Sequence, residues 1–127
     1  MGIERRKYRS NNPNIALQLQ LEHSKLCAEA EAMLLVDDEG FIISSSEGAE
    51  EYEEIAILCP SMGRSEKNRW EGAILFSNKT KPLVVQKFEV GLSQLFLCCI
   101  GGLPGLREIE MQNVIEGVRR ILKETDD

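Results

Sequence analysis

The sequence predicts an α+β protein with one core, its elements running helix, two strands, helix, three strands, helix (αββαβββα). Three observations lead there. The chain has 127 residues, enough for one domain and too few for two with separate cores. Its apolar residues alternate between helical spacing and short branched runs. The connections between these segments are short, which pairs neighbouring strands antiparallel and leaves helices to cover both faces of the sheet.

Composition narrows the function classes. Apolar residues make up 43% and charged residues 28% of the chain, the balance of a folded globular protein. Its 15 Lys and Arg stand against 21 Asp and Glu, a formal charge of −6, whereas nucleic-acid binding calls for a basic field. No apolar run approaches the roughly 20 residues of a membrane span, and the first residues lack the apolar stretch of a secretory signal. The expectation is a cytoplasmic protein without stable membrane insertion.

Residues 1–12 carry Arg5, Arg6, Lys7 and Arg9 with few apolar groups, and read as a flexible basic arm ahead of a single domain over 13–127. Asn12 can cap a helix with Pro13 at its first position, and the spacing predicts helix from 13 to about 30. On it Ile15, Leu19, Leu26 and Ala30 fall within about 60° of one another, with Leu17 and Leu21 opposite. Residues 32–46 read as a hairpin: two branched apolar runs around Asp37-Asp38-Glu39-Gly40, where Gly40 supplies a positive φ. The acids lack the twelve-residue spacing of a calcium loop.

A second helix is expected over 48–59, ended by Pro60. Ala49, Tyr52, Ile55, Ala56 and Cys59 share one arc, while Ile57 and Leu58 fall outside it. A short helix apolar on two sides must bury both, one on its own sheet and the other against something else, and in a small domain a second subunit is the expected cover. Glu50, Glu51, Glu53 and Glu54 crowd its start, where carboxylates suit the exposed N–H groups and the helix dipole. Between residues 28 and 54 there are ten acids and no base, a field that suits a basic partner surface.

Residues 61–69, with Arg64, Lys67 and Arg69, lack periodicity and read as a loop. Strands follow over 70–77, 83–90 and 94–100, with 78–81 as a turn and Pro82 able to begin a strand but not to sit at its centre. The last of these is almost continuously apolar and wants cover on both faces. Gly101, Gly102, Pro104 and Gly105 break the chain without the lysine or spacing of a phosphate loop. The final helix, about 106–124, gathers Met111, Val114, Ile115, Val118, Ile121 and Leu122 on one side, and Gly117 within it suggests a close helix contact.

Chemistry-bearing residues are sparse. Cys27, Cys59, Cys98 and Cys99 show no metal-ligand spacing and read as buried thiols, with Cys98 and Cys99 on opposite faces of a strand. His23 reads as a partly exposed helix residue with no nucleophile or orienting group beside it. No catalytic residue, cofactor site or metal site is expected, and the chain does not read as an enzyme.

This order of elements, together with Met33-Leu-Leu-Val-Asp-Asp-Glu-Gly-Phe-Ile-Ile, resembles the roadblock/LC7 family of small dimeric proteins. The marks are the apolar-Val-Asp-x-x-Gly-apolar turn at 36–41, the alanine-bearing second helix, and the final strand followed by Gly101 and Gly102. The resemblance implies a five-stranded antiparallel sheet with the first and third helices on one face and the second on the other. It also implies dimers in which second helices pair and third strands join. That puts Ala49, Tyr52, Glu53, Ala56, Ile57 and Cys59 near the helix contact, and Trp70, Ile74 and Phe76 at the sheet junction. Tyr52, Ile55 and Leu58 make this helix bulkier than is usual in the family.

By the same resemblance, the expected function is a noncatalytic homodimeric scaffold or regulator that binds a Ras-like small GTPase. Glu50, Glu54, Arg64, Lys67 and Arg69 are the residues expected to meet it. The alternative is a small-molecule sensor with a profilin-like or PAS-like fold, in which Ser44, Ser45, Ser46 and Tyr52 are the polar groups available to a ligand.

Overall fold

The computed structural model describes residues 12–126, so the expected basic arm lies outside the described residues apart from Asn12. Helix α1 (Pro13–Ala28) leads into β1 (Ala30–Asp37) and β2 (Ile42–Ser45). A 3₁₀ turn (Ala49–Tyr52) and two short helices follow, α2 (Glu53–Ala56) and α3 (Cys59–Gly63). Strands β3 (Arg69–Phe76), β4 (Lys79–Val90) and β5 (Ser93–Gly101) then lead to the long helix α4 (Pro104–Asp126). The five strands form one antiparallel sheet in the order β2-β1-β5-β4-β3, the α+β architecture expected.

Side-chain alternation along the central strands divides the core into two layers. Met33, Leu35, Leu95, Leu97 and Cys99 point to α1 and α4, where Met111, Val114 and Val118 meet them. Ala32, Leu34, Val36, Phe96, Cys98 and Ile100 point the other way, to α2 and α3. This is why β1 and β5 read as unbroken apolar runs: both faces are covered. Among the described residues, no helix is long and apolar enough to cross a membrane.

Helix α1 differs from expectation in its end and in its face. Asn12 caps it, accepting a hydrogen bond from the Ile15 N–H at 3.4 Å. It stops at Ala28 because Glu29 turns left-handed at φ 55°, returning its N–H to Leu26 and Lys25 and starting β1 at Ala30. The buried side is Leu17, Leu21, Ser24 and Ala28, and Ile15, Leu19 and Leu26 face outward. Both sides are apolar, so periodicity alone does not decide between them. The inner side packs on the sheet and on α4 together: a Cβ on Gly117 would lie 2.5 Å from the Gln20 side chain, so the two helices approach closely there, and Glu22 and Lys25 bond the Glu47 backbone.

Two turns have definite chemistry. Asp37 Oδ1 accepts from the N–H groups of Glu39 and Phe41, each at 2.9 Å, and Gly40 follows at φ +91°. The aspartate and glycine of the Val-Asp-x-x-Gly turn are thus both structural. Between β3 and β4 the turn is only Ser77-Asn78, both at positive φ (50° and 65°), as a tight hairpin demands. Strand β4 therefore begins earlier than predicted and contains Pro82. Proline is tolerated there because β4 pairs with β5 only from Leu83 onward.

Candidate functional site

The sequence predicts one helix over 48–59, but the chain breaks between α2 and α3 with Ile57 and Leu58 at the break. Pro60 accounts for this. It occupies the second position of α3, where a missing N–H is harmless, and its ring disfavours continuing the preceding helix. On the inner side Ala49, Tyr52, Ile55, Ala56 and Cys59 are buried against the sheet, the arc the sequence indicated. Outside, Ile57 is 72% exposed and Leu58 50%.

Tyr52 anchors the segment from below. Its hydroxyl donates to Glu31 Oε2 at 3.2 Å and accepts from Lys81 Nζ at 2.7 Å, while Lys81 and Glu31 pair at 3.0 Å. Burial raises the phenol above its ordinary pKa. Above, the β1–β2 turn closes on the break: a Cβ on Gly40 would stand 3.0 Å from the Ile57 Cα. The next residue, Phe41, is 66% exposed, so the turn adds a third outward apolar side chain at this end of the molecule. Glu50, Glu51, Glu53, Glu54, Asp38 and Glu39 are exposed around it. The result is an apolar ridge with an acidic rim, a surface suited to burial against an apolar partner with basic margins.

Beside the ridge runs β3, which has no strand on its outer edge. Trp70, Ile74 and Phe76 are half-buried against the cluster beneath α2 and α3. The indole lies over Gly72, where a Cβ would come within 2.6 Å of it, and the Phe76 and Tyr52 rings are 4.9 Å apart. Of the residues expected at a self-pairing contact, then, Ala49, Tyr52, Ala56 and Cys59 support the ridge from beneath. Glu53 and Ile57 stand on it, and the three β3 residues border it.

The basic residues after the ridge do not converge. Arg64 extends over the Phe96 ring, 5.4 Å from its centroid, next to Gly63, whose hydrogen is required because a Cβ would lie 2.5 Å from that ring. Arg69 is engaged on the opposite sheet face, paired with Glu108 of α4 and with Glu71 at 2.6 Å, and donating to Gln86 at 3.0 Å. Lys67 is exposed in a left-handed conformation, φ 65°. Glu50 and Glu54 are exposed on the rim. Phe41 escaped the sequence reading because an apolar residue after a glycine turn looks like the first residue of a strand. The one available signal was its place beside an acidic turn, where an aromatic side chain has no cover.

The polar groups available to a ligand in the sensor alternative are partly committed elsewhere. Ser46 Oγ accepts from the Met33 N–H at 2.9 Å, and Tyr52 is held by Glu31 and Lys81.

No protein-family model and no curated protein sequence matches the chain. Solved structures do match. MglB of Myxococcus xanthus is 18% identical, with a TM-score of 0.66 over 87% of this chain and 90% of that one. The gliding protein MglB of Thermus thermophilus is 19% identical, with a TM-score of 0.67 over 88% and 92%. A further MglB structure, described as having a tetrameric arrangement, is 20% identical, with a TM-score of 0.65 over 89% and 92%. At these identities what is shared is architecture: the chain has a roadblock-like fold, the fold of the MglB structures along nearly its whole length.

Proposed function

We propose that this chain is a noncatalytic scaffold that pairs with a second copy of itself and binds a Ras-like small GTPase. The observation that carries the reading is the outward pair Ile57 and Leu58. Both side chains lie outside the arc that faces the chain's own sheet, leaving apolar surface that another molecule can cover. The unpaired edge of β3 next to it offers main-chain hydrogen bonds to the same partner copy, since an open edge is a template for another strand. The acidic rim of Glu50, Glu53, Glu54, Asp38 and Glu39 then supplies charge for a basic GTPase surface. The roadblock-like fold supports this reading. A regulator of this kind need not donate an arginine; it can hold the GTPase's own catalytic groups in place.

The test is capture of the GTPase from native cells on the immobilised chain, followed by binding of the captured protein in its GTP-bound and GDP-bound forms. The expected result is preference for one nucleotide state, weakened at least roughly tenfold by Glu50→Lys with Glu54→Lys. A captured set containing no GTPase, or binding indifferent to the rim charges, contradicts the reading.

A further inference from the structure

Helix α1 presents a second apolar face that the packed domain does not use. Ile15 is 48% exposed and Leu19 and Leu26 are each 64% exposed. They follow one another along the outward side of a helix that lies across the sheet from the Ile57–Leu58 ridge. Beside this row are His23 and Cys27, both exposed. Cys27 is the one exposed thiol, since Cys59, Cys98 and Cys99 are buried.

His23 and Cys27 are four residues apart, the spacing that puts two metal ligands on one helix face. The His23 Nε2 and Cys27 Sγ atoms are 3.5 Å apart. A tetrahedral zinc ion with Zn–N of about 2.05 Å and Zn–S of about 2.3 Å holds its nitrogen and sulfur ligands about 3.6 Å apart. The pair is therefore spaced to chelate such an ion with little rearrangement. Two ligands are half of a closed tetrahedral set, and among the described residues no group of three or more His, Cys, Asp or Glu lies together. The missing half has to come from elsewhere.

We infer that His23 and Cys27 form half of a zinc-type site, completed to two histidines and two cysteines by the same residues of a second copy packed against the apolar face of α1. The apolar row gives the two copies a contact to bury around the ion, with Leu26 between the ligands in sequence and Leu19 one turn before His23. The nearby carboxylate of Glu22 is already compensated: it accepts from the Glu47 N–H at 2.7 Å and lies 3.5 Å from Lys25 Nζ. Binding converts each thiol to a thiolate, which forms the metal–sulfur bond while its proton goes to solvent. No oxidant or reductant enters. This contact is separate from the ridge and does not rest on the GTPase reading.

The test is titration of the full chain with cobalt(II) as a spectroscopic substitute for zinc, with light scattering on the same samples. It uses whichever form is monomeric in chelator, Ile57→Glu or the parent. The expected result is a thiolate-to-cobalt charge-transfer band that saturates at half an equivalent of metal per chain, together with a doubling of the mass. Cys27→Ser and His23→Ala should each abolish both. Leu26→Glu, which keeps both ligands, should weaken the metal-dependent doubling by roughly tenfold. Absence of the band, its survival in Cys27→Ser, or saturation at one equivalent with unchanged mass overturns the inference.

Discussion

At the residue scale, titrating groups inside the fold share one direction of shift. Burial pushes the Cys99 thiol up to about 12 from an ordinary value near 9. A hydrogen bond with Cys59 and burial raise Cys98 in the same sense, and burial raises Tyr52. In the unfolded chain these groups ionise near their ordinary values, while in the folded chain they hold their protons to higher pH. The unfolded state therefore binds fewer protons at alkaline pH, and the stability present below pH about 9 is lost as pH rises towards about 12. A denaturant midpoint that falls steadily from pH about 8 to about 11, and falls less in Cys99→Ala, is the expected outcome. A midpoint that is flat or rising over that range contradicts the assigned burial. The opposed directions of the Cys98 and Cys99 side chains follow from strand alternation and are legible in the sequence. The exposure of Cys27 is not, because it follows from which face of α1 turns inward.

That face is the main question at the scale of the element. Leu17 and Leu21 are buried while Ile15, Leu19 and Leu26 are exposed, and both sets satisfy helical spacing equally well. Tertiary contacts break the tie: with α4 through Gly117 and Gln20, with the sheet beneath, and with the segment after β2 through Glu22, Lys25 and Glu47. Leu21→Ala should thus cost about 2–5 kcal/mol, as for a filled core position, and Leu19→Ala at most about 0.5 kcal/mol in metal-free buffer. Chemical denaturation of the two variants checks this, and equal costs would reverse the assignment. Strands β1 and β5 are legible because apolar runs with branched side chains, bounded by turns, have few other readings. The split between α2 and α3 is legible only as an excess: Ile57 and Leu58 do not fit the inward arc, and the break between the two helices goes with the proline three residues beyond Ile57. The start of β4 is not legible, since Ser77-Asn78 is a weaker hairpin signal than a turn containing glycine.

At the scale of the whole molecule, one sheet carries two covered faces, and each cover leaves an apolar strip in solvent: the Ile57–Leu58 ridge on one side and the α1 row on the other. The ridge follows from the sequence itself, because the short segment 49–59 holds more apolar groups than one sheet face can hide. The placement of Arg69 does not, since its pairing with Glu108 depends on α4, 39 residues away in sequence. The reading of the chain as a scaffold depends on the ridge being covered by a second copy. Light scattering of the purified chain in chelator decides it most directly, because chelator removes any metal-dependent association. The expected mass is about 28.6 kDa (2 × 14.3 kDa), falling to 14.3 kDa in Ile57→Glu with helical content retained. A parent chain at 14.3 kDa, or an Ile57→Glu variant still at twice that mass, would contradict the account.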